Sequence, residues 1–155
     1  MPLTFDRRGV SVRTDVALLI LRVVFGLTFA AHGWQKLFIF GLGGVAHSFA
    51  QMGVPLPQVA GPAIACVELI GGAALILGAF TRVFGIALAC DMVGAIAMVR
   101  AKGGFFAPNG IELELALFCT AVALAIAGAG QYSIDATLTG RRADAAVRPT
   151  NRRSR

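Results

Sequence analysis

Arg22, Glu68 and Asp91 each stand inside a long apolar run, in "LLILRVVFGL", "ACVELIGGAA" and "ALACDMVGAI". A lone charge at mid-bilayer costs roughly 3 kcal/mol, so such residues normally face a partner or a water-filled cavity. An arginine fork can bridge one or two carboxylates. Counted from the middle of each run, the depths predict an Arg22–Glu68–Asp91 cluster in which one guanidinium faces two carboxyls. The surplus negative charge is relieved when one carboxyl keeps a proton, and a labile proton at that depth is suited to proton-coupled chemistry. The alternative is a trio that only fixes helix register.

A second group lies in "AAHGWQKLF". At 100° per residue Arg22, His32 and Lys36 share one helix face, together with Gly26, Phe29 and Gly33, whose small members let a neighbouring helix approach closely. Glu112 and Glu114 open a later apolar run at the level of Lys36, flanked by Arg100 and Lys102. His32, Lys36, Trp34 and Glu112 around an apolar pocket suit a quinone headgroup or a small anion. Against that stands an interfacial belt, with Lys36 snorkelling and His32 bonded to a backbone carbonyl.

The elements that must position these residues follow from composition. The chain has 57% hydrophobic and 14% charged residues in 155, far more apolar than a soluble domain. Its apolar runs cover about Val16–Phe38, Gln58–Ala79, Val83–Val99 and Ile111–Ala129. In lipid such runs must be helical, because only a helix satisfies its backbone within one segment. The fold class expected is therefore an all-α integral membrane protein. It is a four-helix bundle with a short interfacial or re-entrant helix near Val45–Met52, between spans one and two. Its membrane domain covers 16–135, after a basic tail at 1–15 and before a disordered basic tail at 136–155. No internal repeat is evident.

The first run follows Arg7 and Arg8, but it is long for a signal peptide and Arg22 interrupts it, so it reads as a permanent span. The tails carry Arg7, Arg8, Arg13, Arg141, Arg142, Arg148, Arg152, Arg153 and Arg155, with Arg82 on the same side; Lys36, Arg100 and Lys102 lie opposite. That imbalance puts both termini in the cytoplasm. The net charge of +6 reflects topology and contact with lipid rather than nucleic-acid binding. Cys66, Cys90 and Cys119 form no C-x-x-C pair, so no zinc or disulfide-exchange motif is present, and they read as buried apolar filler. Cys119 shares a helical face with Glu112, which leaves a redox role open. His32 and His47 give no in-membrane pair for haem; there is no phosphate loop and no metal set.

The ordered segments "LRVVFGLTFAAHGWQKLF", "GVPLP", "VELIGGAALILGAFTR", "GFFAPNGIELEL" and "GAGQYSID" resemble the DoxX family of small bacterial membrane proteins over about 16–135. The resemblance implies a four-helix bundle in the bacterial plasma membrane. It also implies an association with thiosulfate:quinone oxidoreductase subunits and with complexes protecting against oxidative stress. Carried over are Arg22, His32, Lys36, Glu68, Gly72, Arg82 and Glu112; Asp91 rests on physical grounds alone. Two functions follow. One is a quinone-linked oxidoreductase subunit acting on sulfur compounds or thiols, with soluble redox proteins or another membrane subunit as partner. The other is a non-catalytic scaffold or small-solute carrier, and an oligomer is compatible with either.

Overall fold

A computed structural model of the chain describes residues 7–100, 103–106, 108 and 110–147, with side chains from residue 12 to residue 140. Among these residues the chain is all helical. Helix α1 (Arg7–Trp34) continues as a π-helical segment, Gln35–Phe40, into α2 (Gly41–Gln51); α3 spans Pro57–Leu77. Helix α4 (Thr81–Gly94) also ends in a π segment, Ala95–Arg100, and is followed by α5 (Glu112–Ala127) and α6 (Ile134–Val147).

Three of these helices are long and apolar enough to cross a membrane: Val12–Gln51, Pro57–Leu77 and Thr81–Arg100. Straight, the first would extend about 60 Å at 1.5 Å per residue, twice the hydrocarbon thickness. It is bent at Gly41, whose φ of +69° and ψ of 163° glycine adopts without a steric penalty. Beyond the bend α2 turns its buried Val45 and Ala46 onto α3 near Gly61. Helix α5, at 16 residues, falls short of a spanning length by itself.

The bundle is apolar on both sides. Its core joins Phe25, Phe29, Leu75, Leu88, Met92, Ala121 and Leu124, while Ile20, Val24, Ile70, Val83, Ile86 and Ile126 face outward. An apolar exterior is what a helix presents to lipid.

Two antiparallel helix pairs build it, α1 with α3 and α4 with α5, and they pack in the same way. A Cβ on Gly26 would lie 2.6 Å from the Gly72 carbonyl oxygen and 3.0 Å from the Ile76 nitrogen. One on Gly85 would lie 3.0 Å from the Ala121 carbonyl oxygen and from the Ala125 nitrogen. Both contacts take the oxygen of one residue and the nitrogen four further on. Each glycine follows a phenylalanine, Phe25 or Phe84, and each pair's first helix ends in a π segment. The chain thus has an internal correspondence that its sequence largely hides, because beyond Phe-Gly and a few small or aliphatic residues such as Val24/Val83 and Leu75/Leu124 most matched positions differ.

Helix α6 corrects the expected disordered tail from 136: residues 134–147 are helical. Ser133 starts this helix as an N-cap, its hydroxyl accepting from the Ala136 amide at 3.1 Å. Residues 148–155, Lys102 and the side chains of Arg141 and Arg142 lie outside the described residues.

Candidate functional site

Arg22 does not meet Glu68. The Gly26–Gly72 contact fixes the register of α1 against α3, which sets Arg22 beside the last turn of α3, about two helical turns from Glu68. Its Nη1 donates to the carbonyls of Leu75 (3.3 Å) and Ile76 (3.0 Å), and its Nη2 to the carbonyl of Tyr132. A buried guanidinium thereby satisfies the open carbonyls and negative dipole end of α3. Asp135 does the reverse for α4, accepting from the amides of Phe80 (2.8 Å) and Thr81 (2.9 Å). Asp15 accepts from the Gln131 amide at 3.0 Å. These contacts tie the start of α1, the α3–α4 turn and the end of α5 together at one end of the bundle. The depth estimate failed because run midpoints do not set register; close glycine contacts do.

Lys36 occupies the place expected of Arg22. Its Nζ lies 2.6 Å from both Glu68 Oε1 and Oε2. Lys36 belongs to the π segment, where the altered winding carries a side chain off the regular helical face; such segments are frequent at functional sites. Its stem also points back toward the helix N-terminus, into the bundle. Glu68, 3% exposed, in turn interacts with the carboxyl of Asp91 from α4. Two of the three expected partners therefore come together, with a different cation. Glu68 Oε2, close to Lys36 but poorly directed for a hydrogen bond, and Asp91 Oδ2 are enclosed oxygens without a directed donor.

A second ion pair stands nearby. Arg100, ending the other π segment, donates through Nε to Glu114 Oε1 at 2.9 Å and through Nη1 to the Pro108 carbonyl at 3.0 Å. Glu114 rather than Glu112 therefore receives Arg100; Glu112 is half-buried at the start of α5. His32 is exposed at the bundle surface and interacts electrostatically with Lys36 and Glu114. Trp34 faces outward and packs on Phe38, ring centroids 4.2 Å apart, away from the cluster. Of the four residues expected to bind a cofactor, His32 and Lys36 sit with the carboxyls.

The family model for DoxX matches residues 17–101. The chain belongs to the DoxX family. Among relatives of this DoxX chain, CatD of Bacillus subtilis, named as a candidate oxidoreductase, is 33% identical over 78% of this chain and 86% of its own. An uncharacterised membrane protein of Mycobacterium tuberculosis is 28% identical over 81% of this chain and 83% of its own. An uncharacterised protein of Haemophilus influenzae is 34% identical over 76% and 87%. No solved structure matches.

The remaining carried-over residues serve the frame. Gly72 is buried where a Cβ would strike the backbone of Ala30, and Arg82 is exposed at the start of α4, beside Gly128. Cys66, Cys90 and Cys119 are all free and exposed on the bundle exterior, which corrects their reading as buried filler. Among the described residues no group of His, Cys, Asp and Glu could hold a metal.

Proposed function

We propose that this DoxX-family chain is a subunit of a membrane oxidoreductase that binds a quinone headgroup against His32 and Lys36 and exchanges protons through Glu68 and Asp91. The observation that carries the reading is the Lys36–Glu68–Asp91 contact. One ammonium faces two carboxyls, and the set is neutral when the carboxyls share one proton. Lys36 and His32 supply the donors that a quinone oxygen accepts from, and the enclosed Glu68 and Asp91 oxygens supply the proton store beside them. When bound, the quinone would accept two electrons, from a thiol or reduced sulfur compound oxidised by a soluble partner or another membrane subunit. This chain's part is to hold the headgroup and keep its protons apart from bulk water.

In the same reading the chain spans the inner membrane four times with both termini in the cytoplasm. Helix α5 supports this: Glu114 meets Arg100 at one end of α4 and Gly128 lies by Arg82 at the other, so α5 runs alongside all of Thr81–Arg100. Helix α2, bent at Gly41 and packed on α3, then lies at the outer boundary. A reporter fused after Arg155 is expected to be active only in the cytoplasm; activity on the far side contradicts the assignment.

The function is tested by purifying the native complex under mild conditions and extracting it for quinone. Stoichiometric quinone, lost on Lys36→Met with insertion unchanged, supports the reading. A chain that carries no quinone and no redox partner is instead a scaffold or solute carrier.

A further inference from the structure

At the clamped end a cleft of about 830 Å³ lies between the start of α4, the end of α5 and α6. Its volume is in the range of sites that hold a whole small molecule. Thr81, Arg82 and Asp135 belong to its polar wall, and the exposed side chains of Phe80, Val83 and Leu138 to its apolar wall.

The polar wall carries donors that nothing among the described residues uses. Arg82 lies by the end of α5 much as Arg22 lies by the end of α3, its Nε 3.5 Å from where a Cβ on Gly128 would stand. Arg22 donates to three carbonyls, whereas Arg82 is exposed and has no hydrogen bond or ion pair among the described residues. Asp135 takes the amides of Phe80 and Thr81, which leaves those of Arg82 and Val83 open in the first turn of α4. The hydroxyl of Thr81, a residue 0% exposed, has no partner, a costly state that an acceptor in the cleft would relieve. The carboxylate of Asp135 is already answered. It accepts two amides, and its own amide donates to the Gly78 carbonyl, with Arg22 packed against Gly78.

We propose that this cleft holds the phosphate headgroup of an anionic phospholipid, bound by Arg82, the open amides of the first turn of α4 and the Thr81 hydroxyl. A guanidinium fork beside a helix N-terminus suits a phosphate. The apolar wall commits the site to a lipid ester rather than free phosphate. Val83 continues along the exposed face of α4 into Ile86, so an acyl chain from the headgroup lies on the face the helix already presents to lipid. In the topology proposed above, this end meets the leaflet that carries anionic lipid. Arg82 and Arg100 stand at opposite ends of α4 and its π segment, so the site is independent of the quinone.

Native mass spectrometry of the full chain in detergent, titrated with phosphatidylglycerol, phosphatidylcholine or inorganic phosphate, tests this. Wild type is expected to hold one phosphatidylglycerol more tightly than phosphatidylcholine, and inorganic phosphate only weakly. Arg82→Gln should weaken phosphatidylglycerol binding by roughly tenfold or more with helix content unchanged. Arg82→Lys should weaken it less, since an ammonium keeps the charge but not the fork. Thr81→Val should bind the lipid more weakly while raising the melting temperature of the lipid-free chain, a combination that a merely structural hydroxyl does not give. Arg13→Gln, which changes an exposed arginine outside the cleft, should bind as wild type. Equal affinity for the two lipids, or unchanged binding by Arg82→Gln, overturns the site. Equal losses in Arg82→Gln and Arg13→Gln overturn it too, by reducing it to diffuse surface charge. Inorganic phosphate bound as tightly as phosphatidylglycerol overturns the lipid as occupant.

Discussion

Lys36 Nζ sits 2.6 Å from each carboxylate oxygen of Glu68, and among the described residues no other cation forms an ion pair with that carboxylate. Removing the cation strands a buried charge, which commonly costs about 3–5 kcal/mol. Lys36→Met is therefore expected to unfold at clearly lower temperature in detergent. Glu68→Gln should unfold closer to wild type, and Lys36→Met with Glu68→Gln should regain much of the loss. Equal stability of all three variants would mean that the contact is not an ion pair.

Arg22 has a different role and gives a different signature. Arg22→Leu exposes the carbonyls of Leu75, Ile76 and Tyr132 to an apolar interior, and hydrogen bonds to charged groups contribute about 1.5–3 kcal/mol each. The variant is expected to be strongly destabilised. Because its partners lie two turns from Glu68, the losses from Arg22→Leu and Glu68→Gln should add, whereas those at Lys36 and Glu68 should couple. A thermal double-mutant cycle measures both. Coupling at Arg22 with additivity at Lys36 would reverse the assignment.

Gly72 tests the register. A Cβ there collides with the Ala30 backbone, which no side-chain movement relieves. Gly72→Ala is expected to cost about 1–3 kcal/mol by overpacking, and Gly72→Leu to prevent accumulation in membranes. Gly94→Ala, where a Cβ meets nothing, should be neutral or slightly stabilising.

The helical elements were legible in the sequence because lipid admits so few backbone solutions: the four apolar runs map onto α1, α3, α4 and α5 with their π extensions. Glu68 and Asp91 were legible as partners because enclosed carboxyls are rare and stood at matching depth. Arg22 was misassigned since an arginine can also bind helix-terminal carbonyls, a partner that leaves no mark in the sequence. Lys36 escaped because its reach into the bundle depends on a π segment that apolar periodicity does not announce. The "GG" of "ELIGG" was the signal available: antiparallel pairing of Gly26 with Gly72 sets Glu68 level with Ala30, about two turns from Arg22 and nearer to Lys36, whose long side chain reaches back to it. Likewise the "FG" at Phe25–Gly26 and Phe84–Gly85 was the trace of the paired architecture.

In the proposed function Lys36, Glu68 and Asp91 form a working site for a quinone. Equilibrium binding of a short-chain quinone analogue to the purified chain, followed by fluorescence quenching of Trp34 or by equilibrium dialysis, tests it most directly. Saturable binding is expected to wild type and to Cys119→Ser, weakened by roughly tenfold or more in Lys36→Met and in Asp91→Asn, since each tenfold corresponds to about 1.4 kcal/mol of lost contact. Identical binding by wild type and the Lys36→Met, Asp91→Asn double variant would contradict it.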